Sequence, residues 1–200
     1  MIAAEDVTGI VLAGGQGRRM GGVDKGLVDF RGAPMVATVL ARLAPQVGAI
    51  VVNANQNAER YAAFGHRVAP DAVGGFAGPL AGLHAGLAAV ATPWAVTVPC
   101  DSPFLPGDLV ARLAAGAERA GADVAVARTF DQPHPVFAFV RTSLAPHLDA
   151  FLAGGGRKID RWYADLAVVE VSFDDEADAF RNINTRDELA AGNESDSGRA

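Results

Sequence analysis

The stretch Leu12-Ala-Gly-Gly-Gln-Gly-Arg-Arg-Met-Gly-Gly-Val-Asp-Lys-Gly-Leu27 holds the residues best suited to chemistry. Glycine lets the backbone approach a ligand closely, and successive N–H groups form a concavity that attracts anions. Arg18, Arg19 and Lys25 add positive charge beside those donors. Together they describe a cradle for a polyphosphate, and so a chain that handles a nucleotide. Spacing excludes two common phosphate loops. The dinucleotide pattern G-x-G-x-x-G, begun at Gly15 and Gly17, meets Met20 where the third glycine belongs. A Walker A loop, begun at Gly17, reaches Gly22 but then Val23 in place of lysine. Gly26 follows Lys25, so no hydroxyl stands beside the lysine for magnesium.

Lys25 is the candidate catalytic cation. Nucleotidyl transfer places extra negative charge on phosphate oxygens in the transition state, and prepositioned cations stabilise it. Arg19 is the second candidate, suited to grip the β- or γ-phosphate. Arg18 is a weaker one, because adjacent loop residues often point apart. Asp101, in Val98-Pro-Cys-Asp-Ser-Pro103, is the candidate magnesium ligand. Magnesium takes oxygen ligands, usually one or two carboxylates plus substrate phosphates. An aspartate before Ser-Pro also suits a turn or helix cap. Cys100 reads as small packed filler, since the sequence shows no evident histidine to activate it.

Gly14-Gly-x-Gly-x-Arg-Met with Lys25 downstream resembles the signature loop of the nucleotidyltransferases. Within that superfamily the stretch is most similar to the molybdenum cofactor guanylyltransferases. The likeness continues at Val52-Asn-Ala-Asn55, Gly78-Pro-Leu-Ala-Gly82, Pro99-Cys-Asp-Ser-Pro103, His134-Pro135 and Asn182-Ile-Asn-Thr185, and so spans nearly the whole chain. It implies a three-layer, Rossmann-like α/β fold with a mostly parallel central sheet and helices on both faces. It implies transfer of GMP from GTP to molybdenum-molybdopterin, with Mg2+ as cofactor, and it decides for Asp101 as the metal ligand.

The resemblance also implies a GTP site made by Leu12, Ala13, Gly14, Gly15, Lys25, Asn53, Asp71 and Asp101. Asp71 suits guanine, because a carboxylate accepts from both N1–H and the exocyclic amine, which adenine does not offer. A turn-forming aspartate is the plainer reading of the same residue. The acceptor is expected against the C-terminal half, at His134, Arg157, Lys158, Asn182 and Asn184. His134 stands between two prolines, and Arg157 and Lys158 follow three glycines. Arg186 stands where the family often has proline. Two other readings stay open: a cytidylyl- or sugar-phosphate nucleotidyltransferase of the same fold, and a non-catalytic nucleotide-sensing or cofactor-carrier module. Partners implied are GTP, molybdenum-molybdopterin and the molybdoenzymes or chaperones that receive the product.

These residues need a scaffold. The sequence, 200 residues and half hydrophobic, suits one domain over residues 1–192, with a small polar segment, 193–200, expected to be a disordered tail. The net charge of −6 argues against non-specific nucleic-acid binding. One cysteine allows no internal disulfide, which suits a cytoplasmic setting. The start, Met1-Ile-Ala-Ala-Glu-Asp, lacks the basic region of a secretory signal. The stretch from Ala72 to Cys100 has no Asp, Glu, Lys or Arg, but its prolines and glycines divide it into a helix and a buried strand rather than a membrane span. Strands are expected at Ile10–Ala13, Ala49–Asn53, near Val68, at Trp94–Val98, Asp123–Ala127, Val136–Val140 and Ala167–Val171. Helices are expected at Pro34–Leu43, Gln56–Phe64, Pro79–Val90, Pro106–Gly116, Ser143–Leu152 and Arg157–Tyr163. The βαβ rhythm implies a mostly parallel sheet covered on both faces. Gly14, Asn53 and Asp101 then fall just past strand ends, where such sheets bind ligands.

Overall fold

The computed structural model describes residues 1–15, 23–72, 78–185 and 187–190. Its strands are β1 (Val7–Leu12), β2 (Asp29–Phe30), β3 (Ala33–Pro34), β4 (Ala49–Asn53), β5 (Arg67–Ala69), β6 (Trp94–Pro99), β7 (Val124–Thr129), β8 (Gln132–Arg141) and β9 (Val168–Ser172). Its helices are α1 (Met35–Leu43), α2 (Ala58–Ala62), α3 (Pro79–Ala89), α4 (Leu109–Ala120), α5 (Ala145–Ala153) and α6 (Ile159–Tyr163). Seven strands make one sheet in the order β5-β4-β1-β6-β8-β7-β9, and β2 and β3 pair as a separate hairpin. All neighbours in the large sheet run parallel except β8, which is antiparallel to both β6 and β7. The sheet is therefore mostly parallel, with one reversed strand let in by the two-residue turn Phe130-Asp131.

Alternation along the strands assigns the two faces. Val7 and Val11 of β1 pack with α1, Tyr61 of α2 and the apolar side of α4. Ile10 packs on the other face with Leu80, Leu83 and Leu87 of α3, Leu148 and Leu152 of α5, and Trp162 of α6. Helices thus cover both faces of the sheet. The α3 helix is buried along much of its length, which explains its uncharged sequence. Among the described residues no helix is long and apolar enough to cross a membrane.

The remaining differences from expectation have local causes. The fourth helix begins at Leu109 rather than Pro106, with Asp108 at its N-cap, and runs on to Ala120, where Gly121 takes a left-handed φ of +60° and ends it. Strand β8 starts four residues before Val136. Its register with β7 jumps from Val126↔Ala138 to Ala127↔His134, and this irregularity accommodates the prolines at 133 and 135. The expected tail, 193–200, lies outside the described residues.

Candidate active site

The parallel strands deliver their ends to one edge of the sheet. Ala13 N–H donates to the Asn53 carbonyl at 2.8 Å, and Cys100 N–H to the Leu12 carbonyl at 3.1 Å. The segments leaving β1, β4 and β6 are thereby locked side by side. Lys25 rides on a 3₁₀ turn, Lys25–Leu27, downstream of the glycine-rich loop. Its Nζ lies 3.2 Å from Asp101 Oδ2 and donates to Asn184 Oδ1 at 2.6 Å. The two charged side chains are only 18% and 14% exposed, so their attraction is poorly screened. The two partners lie 76 and 159 positions from Lys25 in the chain. The fold thus brings together a cation and an amide, which can donate to phosphate oxygens, and a carboxylate, which can meet a polyphosphate only through a cation.

The segment 182–184 is fastened to Asp101. Ile183 N–H donates to the Asp101 carbonyl at 2.9 Å, and Ser102 Oγ donates to Asn182 Oδ1 at 2.5 Å. Asn182 and Asn184, expected with the acceptor, therefore lie against Ser102 and Lys25. Glu188 Oε2 accepts from Asn184 N–H at 2.6 Å and Thr185 N–H at 2.9 Å, while Glu188 N–H donates to Thr185 Oγ1 at 3.1 Å. This is a capping box, and Thr185-x-x-Glu188 is its sequence signature. The backbone donors hold the Glu188 carboxyl below its usual range.

Asn53, Asn55 and Asp71 form a second cluster. Asp71 Oδ1 accepts from Asn53 Nδ2 and Oδ2 from Asn55 Nδ2, both at 2.8 Å, and Asp71 N–H donates to Asn55 Oδ1 at 2.8 Å. Asn53 is buried between two glycines. A Cβ at Gly14 would stand 2.9 Å from its Oδ1, and one at Gly82 would stand 2.5 Å from it. The glycines at these two positions are therefore required by packing. Asn55, absent from the expected site, also donates to the Gly14 carbonyl at 3.3 Å. Leu12, Ala13 and Gly14 lie against this cluster. A Cβ at Gly15 would meet open space. Arg18 and Arg19 lie outside the described residues.

Cys100 and Tyr61 pack behind Lys25. Burial first, and the Asp101 carboxylate second, push the Cys100 thiol well above its ordinary range, which disfavours the thiolate a nucleophile needs. Asp24, beside Lys25, accepts from Tyr61 and Asn57. Nothing in the helical pattern around Tyr61 announces that contact.

The C-terminal candidates are held locally. His134 pairs with Ala127 near the end of β7, on the same sheet edge as Asp101. Its Nε2 lies 2.7 Å from Thr129 Oγ1, and its ring stacks on Phe180 with centroids 4.8 Å apart. Burial lowers its pKa. Arg157 Nη1 donates to the carbonyls of Leu152 at 2.9 Å and Gly156 at 2.6 Å. Lys158 is exposed at the N-cap of α6.

Among the described residues no group of three or more His, Cys, Asp or Glu side chains gathers to hold a metal. Asp101, one hard oxygen donor among the described residues here, fits an ion that would bring most of its ligands with a bound polyphosphate.

Known proteins resemble this chain in sequence and in fold. A family model described as "MobA-like NTP transferase domain" matches residues 9–168. The molybdenum cofactor guanylyltransferase of Cupriavidus taiwanensis is 55% identical over 196 residues, covering 96% of this chain and 98% of that protein. The protein of the same name from Cupriavidus necator is 55% identical over 194 residues, covering 94% of this chain and 97% of that protein. The crystal structure of molybdopterin-guanine dinucleotide biosynthesis protein A from Archaeoglobus fulgidus superposes with a TM-score of 0.76 at 30% identity, covering 94% of this chain and 97% of that one.

Proposed function

We propose that this chain, which belongs to the MobA-like NTP transferase family, is a molybdenum cofactor guanylyltransferase: it moves GMP from GTP to the terminal phosphate of molybdenum-molybdopterin and releases pyrophosphate. The observation that carries the reading is the meeting of Lys25, Asp101 and Asn184 beside the glycine-rich loop, in a chain 55% identical to proteins named for that activity.

In this reading an oxygen of the acceptor phosphate attacks the α-phosphorus of GTP in line. A new P–O bond forms as the bond from the α-phosphorus to the bridging oxygen breaks, and pyrophosphate leaves with that electron pair. A phosphate monoester loses its second proton near pH 6, so the acceptor needs no general base. Lys25 offsets charge that builds on the phosphate oxygens, and Asp101 and Asn184 hold its ammonium in place. Asp101 would also hold Mg2+ shared with the substrate phosphates, an ion that supplies further charge neutralisation when bound. Arg19 grips the outer phosphates. Asp71, oriented by Asn53 and Asn55, reads the guanine edge. His134, Arg157 and Lys158 are the candidates for meeting the acceptor, Asn182 fixes the Asp101 loop through Ser102, and Asn184 serves the reacting phosphates rather than the pterin.

The test is incubation with GTP, Mg2+ and molybdopterin, followed by mass detection of a guanine dinucleotide. Turnover with CTP alone would replace the guanylyl assignment by the cytidylyl one. Binding of GTP with no turnover would favour the sensing module.

A further inference from the structure

Both carboxylate oxygens of Asp24 are occupied. Oδ1 accepts from the Tyr61 phenol at 2.5 Å, and Oδ2 accepts from Asn57 Nδ2 at 2.9 Å. The carboxylate thus ties the residue before Lys25 to Tyr61 of α2 and to Asn57 at its start. The backbone of Asp24 opens the lysine turn, since Leu27 N–H donates to its carbonyl at 3.1 Å. Tyr61 is fully buried on α2, and Asn57 precedes that helix in a left-handed conformation, φ +52°. Gly26 completes the fit: a Cβ there would run into the phenol oxygen and come within 3.3 Å of Cys100 Sγ. Burial keeps the phenol protonated far above neutral pH, so it always donates.

Lysine carries its charge on a flexible four-carbon stem, so the place of the ammonium depends on where its backbone is fixed. We infer that Tyr61 is a positioning residue for nucleotidyl transfer: through Asp24 it bolts the Lys25 turn to α2 and so sets where the ammonium stands relative to Asp101. This rests on the reading of Lys25 as the catalytic cation. A tyrosine that merely filled the core would have no reason to act through Lys25, and that difference is measurable.

The experiment uses the full chain and a double-mutant cycle of Tyr61→Phe and Lys25→Ala, read in pyrophosphate release with GTP and molybdopterin and in GTP affinity. Tyr61→Phe keeps the ring and deletes one hydroxyl. Alone it should lower kcat about tenfold and weaken GTP binding severalfold, with the thermal midpoint little changed. In the Lys25→Ala background it should change neither quantity. The same factor in both backgrounds, or no change alone, would overturn the inference while leaving the activity assignment intact. Full rate and GTP affinity in Lys25→Ala would instead sink the reading of Lys25 and the inference with it. Should Tyr61→Phe fold poorly, Asn57→Ala tests the other oxygen of Asp24 and should show a smaller effect with the same dependence on Lys25.

Discussion

The two sides of the ligand-binding edge hold their polar groups differently. On the β1–β4–β6 side the candidates are bonded to one another: Lys25 to Asp101 and Asn184, Asp71 to Asn53 and Asn55. On the β8–α5–α6 side they are bonded to their own scaffold. His134 is turned to Thr129 and Phe180, and Arg157 donates to two carbonyls within five residues of itself. A group held by other site residues is preorganised for charge that develops between them. A group held by nearby carbonyls must give up or share those bonds when a ligand arrives, which costs part of the binding energy. In the proposed reading the donor side is therefore built in advance, and the acceptor side is completed by its ligand.

Substitutions on the donor side should be the most damaging. Lys25→Ala should lower kcat by about 10²–10³-fold, roughly 3–4 kcal/mol of transition-state stabilisation, with a smaller change in KM for GTP. Asp101→Asn should fall in the same range, and excess Mg2+ should recover part of its loss but none of that in Lys25→Ala. If either variant kept wild-type kcat under steady-state assay, the preorganised donor side would lose its meaning. Next comes Asp71→Asn. Its preference for GTP over ATP, measured as a ratio of kcat/KM values, should fall about 10–100-fold, because one acceptor in a hydrogen-bonded reading site is replaced by a donor.

Effects on the other side should be milder. Arg157→Gln should raise KM for molybdopterin by about tenfold or less and leave KM for GTP alone, because the arginine leaves its carbonyl partners to meet the ligand. An equal rise in both constants would erase the distinction between the two sides. His134 gives the smallest effect, on stability. Burial sets its folded pKa below the ordinary 6.5, so below about that pH the unfolded chain takes up the proton more readily. Stability should therefore fall as pH drops through that value, until the lower folded pKa is passed. Thermal midpoints between pH 5 and 8 should show that slope, and His134→Gln should flatten it.

Glycine spacing and apolar runs made much of the scaffold legible. Ala49–Asn53 is a strand with the expected bounds, and Pro34–Leu43 differs from α1 by one residue at its start. Both are local patterns in which an apolar face and a proline or turn residue act over a few positions. The capping box at Thr185 and Glu188 is equally local, but only the hydrogen bonds of the structure reveal it. The reversal of β8 was not legible, because a strand's sequence records which face is buried and says little about direction. Asp24 and Asn55 were missed for a related reason: each is a plain turn residue until a distant side chain meets it.

By itself the sequence determined that a glycine-rich, basic loop follows a buried strand, and that Asn53 and Asp101 stand at or just past the ends of two others. Propensity, periodicity and backbone freedom are local, so a sequence can specify them. Only the tertiary structure decided that Asn184 meets Lys25 across 159 residues, that Asp71 is clasped by two asparagines, and that Tyr61 reaches the lysine turn. Such contacts are fixed by how the elements pack around the sheet, and that packing is a property of the whole chain at once.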